Sequence, residues 1–460
     1  MKASRLICLA ALLISCSAYA QTRYYNGLLQ QAMLPIVIEV TTTPTDSSVV
    51  LYSPLQSSEP IIDGSTFLWK TDTIIFRNKR LGISISMRPD SQGNMQCNFK
   101  QGMLKEALVL TPSDTLWRPN RPQTPQEPYS FTEEEVTLTV KDGKHGKITL
   151  SGSLTMPKNA TGKVPAVVLV SGSGQQNRNS EILAHQPFLV IAEYFARQGI
   201  AVLRYDDRGM GNSTGLRKDL TTFDFADDAH AMFNFLRKHK GIDPKRVGIV
   251  GHSEGGLIAS IEASRNRHVS FIVMMAGPGG SGAEILIDQN ARIAELQGVS
   301  PQLTNALRSC LDEIYYSAIS LPPARYTEAF KSVIDRHAQG LTQEQQDSIG
   351  LTKGMPYMLA TTLEMPWMNT FIKTDNRPYL MSAKCPILAL NGELDCQVVP
   401  SNLQIIEQAT NGRAETLLIP KANHLFQHCT TGAVAEYPFI EQTIAPEVLE
   451  AMACWILKQR

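Results

Sequence analysis

The sequence predicts two domains, a small all-β domain followed by an α/β domain with a parallel sheet and a helical cap. Three observations carry this expectation. Residues 21–111 fall into short alternating segments, residues 129–460 alternate continuous apolar strands with amphipathic helices, and a long helical interval interrupts that alternation. At 460 residues the chain is too long for one small domain, and 43% hydrophobic with 19% charged residues suits a globular protein with a sizeable core. The formal net charge is zero, and no basic run or nucleic-acid motif points to a polyanion partner.

Residues 1–20, “MKASRLICLAALLISCSAYA”, combine Lys2 and Arg5 with an apolar stretch and end in Ala18-x-Ala20. That pattern predicts a secretory signal peptide and an exported protein, periplasmic or secreted. A competing reading takes “LISC” as a lipoprotein signal with Cys16 lipidated. No other segment is long and apolar enough to predict a transmembrane helix.

In residues 21–111 the segments “LPIVIEV”, “SVVLYS”, “STFLWKTDTIIFRN”, “LGISISMRP” and “ALVLTP” alternate apolar and polar positions between turn residues. They predict a β-sandwich or barrel. Five prolines, Pro112, Pro119, Pro122, Pro125 and Pro128, mark 112–128 as a stiff linker. Beyond it, “EEEVTLTV” and “GKITLSGSLTMP” lead into “PAVVLV”, “GIAVLRY”, “RVGIVG”, “SFIVMMAG”, “CPILAL” and “AETLLIP”. Helical periodicity appears in “PFLVIAEYFARQG”, “FADDAHAMFNFLRKH”, “SNLQIIEQAT” and “PEVLEAMACWILKQ”. The order predicts a parallel sheet covered on both faces. The interval 283–377 has helical character without a convincing strand, and its length predicts a cap rather than a loop.

Two serines sit in a G-x-S-x-G pattern, Ser213 in “MGNSTG” and Ser253 in “GHSEGG”. A nucleophile elbow follows a strand directly and opens a helix, so that the tight turn lifts the hydroxyl above the sheet. Ser253 meets that demand between “RVGIV” and “GGLIASIEASRN”, whereas Ser213 lies in a polar loop well past its strand. A serine hydroxyl needs a base, and the base an orienting carboxylate. Asp395 follows “CPILALNGEL” and His424 follows “TLLIPKAN”, both at strand ends in the order Ser, acid, His. Glu393 is the alternative acid and His428 the nearby competing base. The oxyanion donors expected are the N–H groups of Glu254 and of Ser173 in “VSGSGQQNR”. The same loop supports a rival reading, a dinucleotide fingerprint at Gly172, Gly174 and Asn177 with Asp206 or Asp207 at the next strand end. Its third small residue is missing and its helix begins late.

Taken together, “VSGSGQQNR”, “HQPFLVIAEYFARQGIAVLRYDDRGMGNSTG”, “GHSEGGLIA”, “MAGPGG”, “LALNGELDCQV” and “NHLFQ” resemble the EstD-type carboxylesterases of the α/β-hydrolase superfamily, related to serine aminopeptidase-like hydrolases. The resemblance covers most of residues 130–460. It implies an α/β-hydrolase core with a helical cap, no metal or other cofactor, and Ser253, Asp395 and His424 as triad. Gln175 stands where related sequences tend to carry proline, which bears on the second oxyanion donor.

The function expected is hydrolysis of a small-molecule carboxylic ester through an acyl-enzyme. From the cap, Trp367, Met368 and Phe371 are expected to line the substrate pocket, with Met355, Met358 and Met365 as further apolar candidates. Two alternatives stay open. An exo-peptidase needs an acid for the substrate amine, with Glu284, Asp288, Glu295 and Glu364 as candidates, and a binding protein would use the β-domain beside an inert hydrolase. The cysteines show no zinc spacing, so no metal is expected. A Cys396–Cys429 disulfide is expected as one of two outcomes, because acid and base loops must lie side by side.

Overall fold

The computed structural model describes residues 21–459 apart from 44, 58, 71, 144 and 145. The signal segment and Cys16 lie outside the described residues. The chain divides into two compact units between Pro119 and Asn120.

The first unit is one eight-stranded sheet. Its strands are β1 (Gln21–Leu29), β2 (Leu34–Thr42), β3 (Ser47–Tyr52), β4 (Ser65–Lys70), β5 (Thr73–Asn78), β6 (Ile83–Pro89), β7 (Met95–Gln101) and β8 (Leu104–Ser113). The order is β3-β2-β1-β8-β7-β6-β5-β4, with every pairing antiparallel. Strand β8 joins the halves: Leu104–Leu110 pairs with β7, and Thr111–Ser113 turns to pair with β1. Leu29, Ile38 and Leu51 from one half share a core with Ile74, Phe76 and Ile85 from the other. The sheet therefore folds on itself like a sandwich, with β3 and β4 left as its ends. The sequence pattern missed β1 and β7, and it ran β4 and β5 together as one segment.

The second unit holds another eight-stranded sheet. It comprises β9 (Phe131–Asp142), β10 (Gly146–Pro157), β11 (Val164–Val170), β12 (Ala201–Tyr205), β13 (Ile242–His252), β14 (Ile272–Met275), β15 (Ile387–Gly392) and β16 (Ala414–Ile419). The order is β16-β15-β14-β13-β11-β12-β10-β9, antiparallel at β9–β10–β12 and parallel from β12 to β16. The helices interleaved with the strands are α1 (Pro187–Arg197), α2 (Thr222–Lys238) and α3 (Glu254–Arg265). Seven more, α4 (Gly282–Leu296), α5 (Pro301–Ser320), α6 (Tyr326–Ala338), α7 (Gln343–Ser348), α8 (Met355–Glu364), α9 (Pro366–Lys373) and α10 (Arg377–Ser382), lie between β14 and β15. Helix α11 (Asn402–Ala409) joins β15 to β16, and the chain closes with α12 (Pro446–Lys458).

Strand periodicity sorts β11 between two cores. Ala166, Val168 and Val170 pack with Met232, Phe233 and Leu257 of α2 and α3, while Val167 and Leu169 pack with Phe195 of α1 and Met452 of α12. A sheet buried on both faces explains why these strands read as unbroken apolar runs. The cap has a core of its own, in which Leu311, Ile314, Tyr326 and Phe330 are buried and the last two rings stack at 5.2 Å.

Part of the Pro-rich stretch belongs to the second unit rather than to a linker. Arg121 donates to the carbonyls of Leu183 (2.9 Å), Pro438 (3.1 Å) and Ile440 (3.1 Å), and Gln123 bonds the backbone of Thr443 and Ile444. These side chains satisfy loop carbonyls and amides that would otherwise need water, so residues from Asn120 onward are docked. Among the described residues no helix is long and apolar enough to cross a membrane, and no cluster of metal-ligating side chains occurs.

The disulfide expectation is corrected. Cys396 and Cys429 are both free thiols, Cys396 buried with its Sγ 3.3 Å from the Gly432 carbonyl and Cys429 with its Sγ 3.5 Å from that of Lys421. Each thiol has a backbone acceptor, and the two loops are held by hydrogen bonds instead. Peptide mapping without reductant is expected to recover both unlinked. Reductant should leave the unfolding free energy unchanged, whereas breaking a bridge across so long a loop would remove about 3–4 kcal/mol.

Candidate active site

The elbow begins with a backbone constraint. Ser253, between β13 and α3, has φ 54° and ψ −122°, a conformation that costs an L-residue about 1–3 kcal/mol. Two hydrogen bonds hold it there, Ser253 N to Met275 O and Gly256 N to Ser253 O, each 2.8 Å. The flanking glycines are required by contact. A Cβ on Gly251 would lie 2.0 Å from the Gly255 carbonyl oxygen, and one on Gly255 would lie 2.2 Å from that of Val170.

His424 and Asp395 come together at the ends of β16 and β15. The His424 Nδ1–H donates to Asp395 Oδ2 at 2.8 Å, and both residues are buried. The other carboxylate oxygen accepts from Gln397 N (2.7 Å) and Val398 N (2.9 Å), which fixes its plane. Glu393 is turned elsewhere and accepts from Lys421 N at 2.8 Å. His428 pairs with Glu447 at a half-exposed position. Ser213 is structural: its hydroxyl donates to Asp206 O (2.7 Å) and accepts from Ser151 N (2.9 Å).

A cleft of about 350 Å³ gathers Ser253, His424, Ser173 and Glu254 with the cap residues Trp367, Met368 and Phe371. Of the methionine candidates, Met355 is buried in the cap core, while Met358 and Met365 are exposed. None of the three lines the cleft.

The loop after β11 is held from below by buried acids. Asp207 accepts from Ser171 Oγ and Gln176 N, both at 2.8 Å. Burial, with the Asp228 and Glu254 carboxylates nearby, pushes Asp207 up to about 7. Gly172 comes so close to Ser253 that a Cβ there would lie 3.1 Å from the serine Cβ. Glu254 is buried as well, and burial raises its pKa against hydrogen bonds from Thr222, Trp367 and Ser173. Its carboxylate accepts from Thr222 Oγ1 at 2.7 Å and from Trp367 Nε1 at 2.9 and 3.0 Å. The dinucleotide reading fails on this geometry. Helix α1 starts only at Pro187, and Asp206 and Asp207 are both engaged by the loop, Asp206 by Arg178.

The sequence did not single out His252, but the structure puts it in the cleft wall. Its Nε2–H donates to the His424 carbonyl at 3.0 Å, and the two rings lie 4.8 Å apart. Burial and then the neighbouring His424 push His252 down to about 3, so it is neutral at physiological pH. Its signal was position, one residue before the elbow serine. The Asp207 and Thr222 contacts had no local signal, because they join segments distant in sequence.

A family model described as serine aminopeptidase, S33 matches residues 184–427, more than half of the chain. Esterase EstD of Thermotoga maritima is 31% identical over 163 residues, covering 35% of this chain and 36% of the relative. Polyketide transferase claH of Penicillium crustosum is 29% identical, covering 32% and 44% respectively. The chain thus spans less than half the length of these curated relatives. Among solved structures, the Pyrococcus furiosus esterase Pf2001 aligns with a TM-score of 0.41 at 17% identity, covering 72% of this chain and 93% of that one.

A pH prediction follows from the neutral histidines. His185, fully buried and held by Thr443 and Gln427, is pushed down to about 3 by burial and then by Arg121. A depressed folded pKa means that the unfolded chain binds protons the fold refuses. The stability involved is complete above about pH 6.5 and is lost as pH falls toward 3. His185→Gln should therefore lose about 1.4 kcal/mol per pH unit from the acid limb of the stability curve. An unchanged slope in urea titrations from pH 6 to 4 would mean that His185 protonates within the fold.

Proposed function

We propose that this chain, which belongs to the serine aminopeptidase S33 family, hydrolyses carboxylic esters with Ser253 as nucleophile, His424 as base and Asp395 as the orienting acid. The observation that carries the reading is the meeting of a strained elbow serine with a histidine whose Nδ1 is bonded to a buried carboxylate, in one cleft. That bond places the proton on Nδ1 and leaves Nε2 as the proton acceptor. Ser253 attacks the ester carbonyl as His424 takes its proton. The N–H groups of Glu254 and Ser173 hold the oxyanion, and Asp395 stabilises the imidazolium. His424 then protonates the departing alcohol, and the acyl-enzyme is released when His424 activates water. Trp367, Met368 and Phe371 form the apolar wall for the acyl group.

Esters are preferred over aminoacyl amides because the cap acids are engaged elsewhere. Glu284 caps α4 and pairs with Arg377, Asp288 pairs with Arg308, Glu295 pairs with Arg292, and Glu364 is exposed. None of them lines the cleft, whose wall carries Glu254 bonded to Trp367 and Thr222. An exo-peptidase would need a carboxylate free to meet the substrate ammonium. The amino-terminal segment supports export, which fractionation of the expressing cell tests.

Ser253→Ala is expected to lower turnover of short acyl nitrophenyl esters by about 10⁴ or more and to abolish fluorophosphonate labelling. Ser213→Ala should cost about 1–3 kcal/mol of stability through its lost buried hydrogen bonds, with turnover within a few-fold of wild type. Asp395→Asn should cost about 10³–10⁴ in kcat, and Glu393→Gln far less. A folded Ser253→Ala protein with ordinary turnover, or faster cleavage of aminoacyl anilides than of esters, would refute the proposal.

A further inference from the structure

Behind the cleft lies a second chamber of about 230 Å³. Its far wall is apolar, made by Phe188 and Ile191 of α1 with Met275 and Ile444. It shares Gln176, Ile182, His252 and Leu425 with the catalytic cleft, so the two cavities adjoin across that wall. Nothing in the mechanism above uses it.

We infer that this chamber is the leaving-group subsite and takes a bulky, uncharged alcohol, of benzylic or similar size. The inference rests on the ester reading above, and the side of the chamber decides the arm. The departing oxygen must reach the base that protonates it, so the alcohol lies toward His424. The chamber is walled by Leu425, the residue after His424, and by His252, whose ring packs 4.8 Å from that of His424. Trp367, Met368 and Phe371 line the cleft but not the chamber, which leaves the acyl arm to them.

Chemistry narrows the alcohol. At about 30 Å³ for each water-sized group, the chamber holds roughly eight non-hydrogen atoms, the size of a benzyl alcohol. Its polar groups are already matched: Gln427 Nε2 donates to His185 Nε2 at 3.1 Å, and His185 Nδ1 lies 2.9 Å from Thr443 Oγ1. His185 is therefore neutral, in agreement with its depressed pKa. No lysine or arginine lines the chamber, and Glu181 does. An anionic alcohol would enter without a counter-charge, against a carboxylate.

Ile182 is the residue to change. Its side chain is 40% exposed at the junction, and its backbone is pinned by paired hydrogen bonds with His185, Ile182 N to His185 O (3.1 Å) and the reverse (2.8 Å). A larger side chain can therefore narrow the passage without entering the core. The experiment compares two ester series on wild type and on Ile182→Trp and Ile182→Ala. One varies the alcohol of acetates (methyl, butyl, benzyl), and the other the acyl group of methyl esters (acetate, butanoate, hexanoate). Methanol and benzyl alcohol are of similar acidity, so their ratio reports binding rather than leaving-group ability.

In wild type, kcat/KM should rise about tenfold or more from methyl to benzyl acetate. The acetate of 4-(hydroxymethyl)benzoate should fall about tenfold below benzyl acetate. Ile182→Trp should bring the benzyl-to-methyl ratio down to about one and leave the hexanoate-to-acetate ratio within about twofold of that of wild type, while Ile182→Ala keeps a benzyl-to-methyl ratio of about ten. A wild-type circular-dichroism spectrum and thermal transition establish that each variant is folded. Collapse of the acyl series with the benzyl preference intact would assign the chamber to the acyl arm and overturn the inference. No change in either series would overturn it as well. Absence of turnover by wild type across both series would overturn the ester reading and the subsite with it, whereas turnover without a benzyl preference removes only the subsite.

Discussion

The site depends on one residue being held where L-residues seldom sit. With φ at 54°, Ser253 turns the chain so sharply that β13 passes into α3 without a connecting loop. The turn is compact only because Gly251 packs on the Gly255 carbonyl and Gly255 on that of Val170. The strain of about 1–3 kcal/mol is offset by the parallel sheet on either side of β13 and by the bond from Ser253 N to Met275 O. Sheet register thus reaches the Ser253 hydroxyl through very few covalent bonds.

Around that elbow the structure places carboxylates where carboxylates are expensive. Asp395, Asp207 and Glu254 are all buried, and each is satisfied by neutral donors or by a histidine. Each orders a different segment: Asp395 orients the ring of His424, Asp207 ties Ser171 to Gln176, and Glu254 reaches Thr222 and the cap. A polar network of this kind is stable only when complete, because every unmatched member keeps its full desolvation cost. Among the described residues of the first unit no carboxylate is buried, and its core is apolar.

Much of this was legible in the residues. The elbow, the order of acid and base and the alternation of buried strands with helices are local signals, and local signals survive in a linear reading. Trp367, Met368 and Phe371 could be singled out by composition and do face the cleft. What escaped was set by distance along the chain. His252 reads as an ordinary strand-end histidine until His424 is folded against it. Strand β7 alternates Met95, Cys97 and Phe99 in the core with polar residues between, yet its polar turns hid the run. The paired loops of Cys396 and Cys429 were inferred from adjacency, but adjacency does not aim two sulfurs at each other, and carbonyl acceptors took both.

The contact between Glu254 and Trp367 constrains how this protein could diverge. Glu254 adjoins Ser253 in sequence while its carboxylate accepts from the indole of Trp367 in the cleft wall. A change at Trp367 that reshaped the cleft would strip a partner from a buried carboxylate beside the elbow. Pocket shape and elbow integrity are thus inherited together at that position. Met368 and Phe371 line the same wall without that tie. Lineages that reshape this cleft should therefore vary at those two positions first and keep the tryptophan and glutamate as a pair.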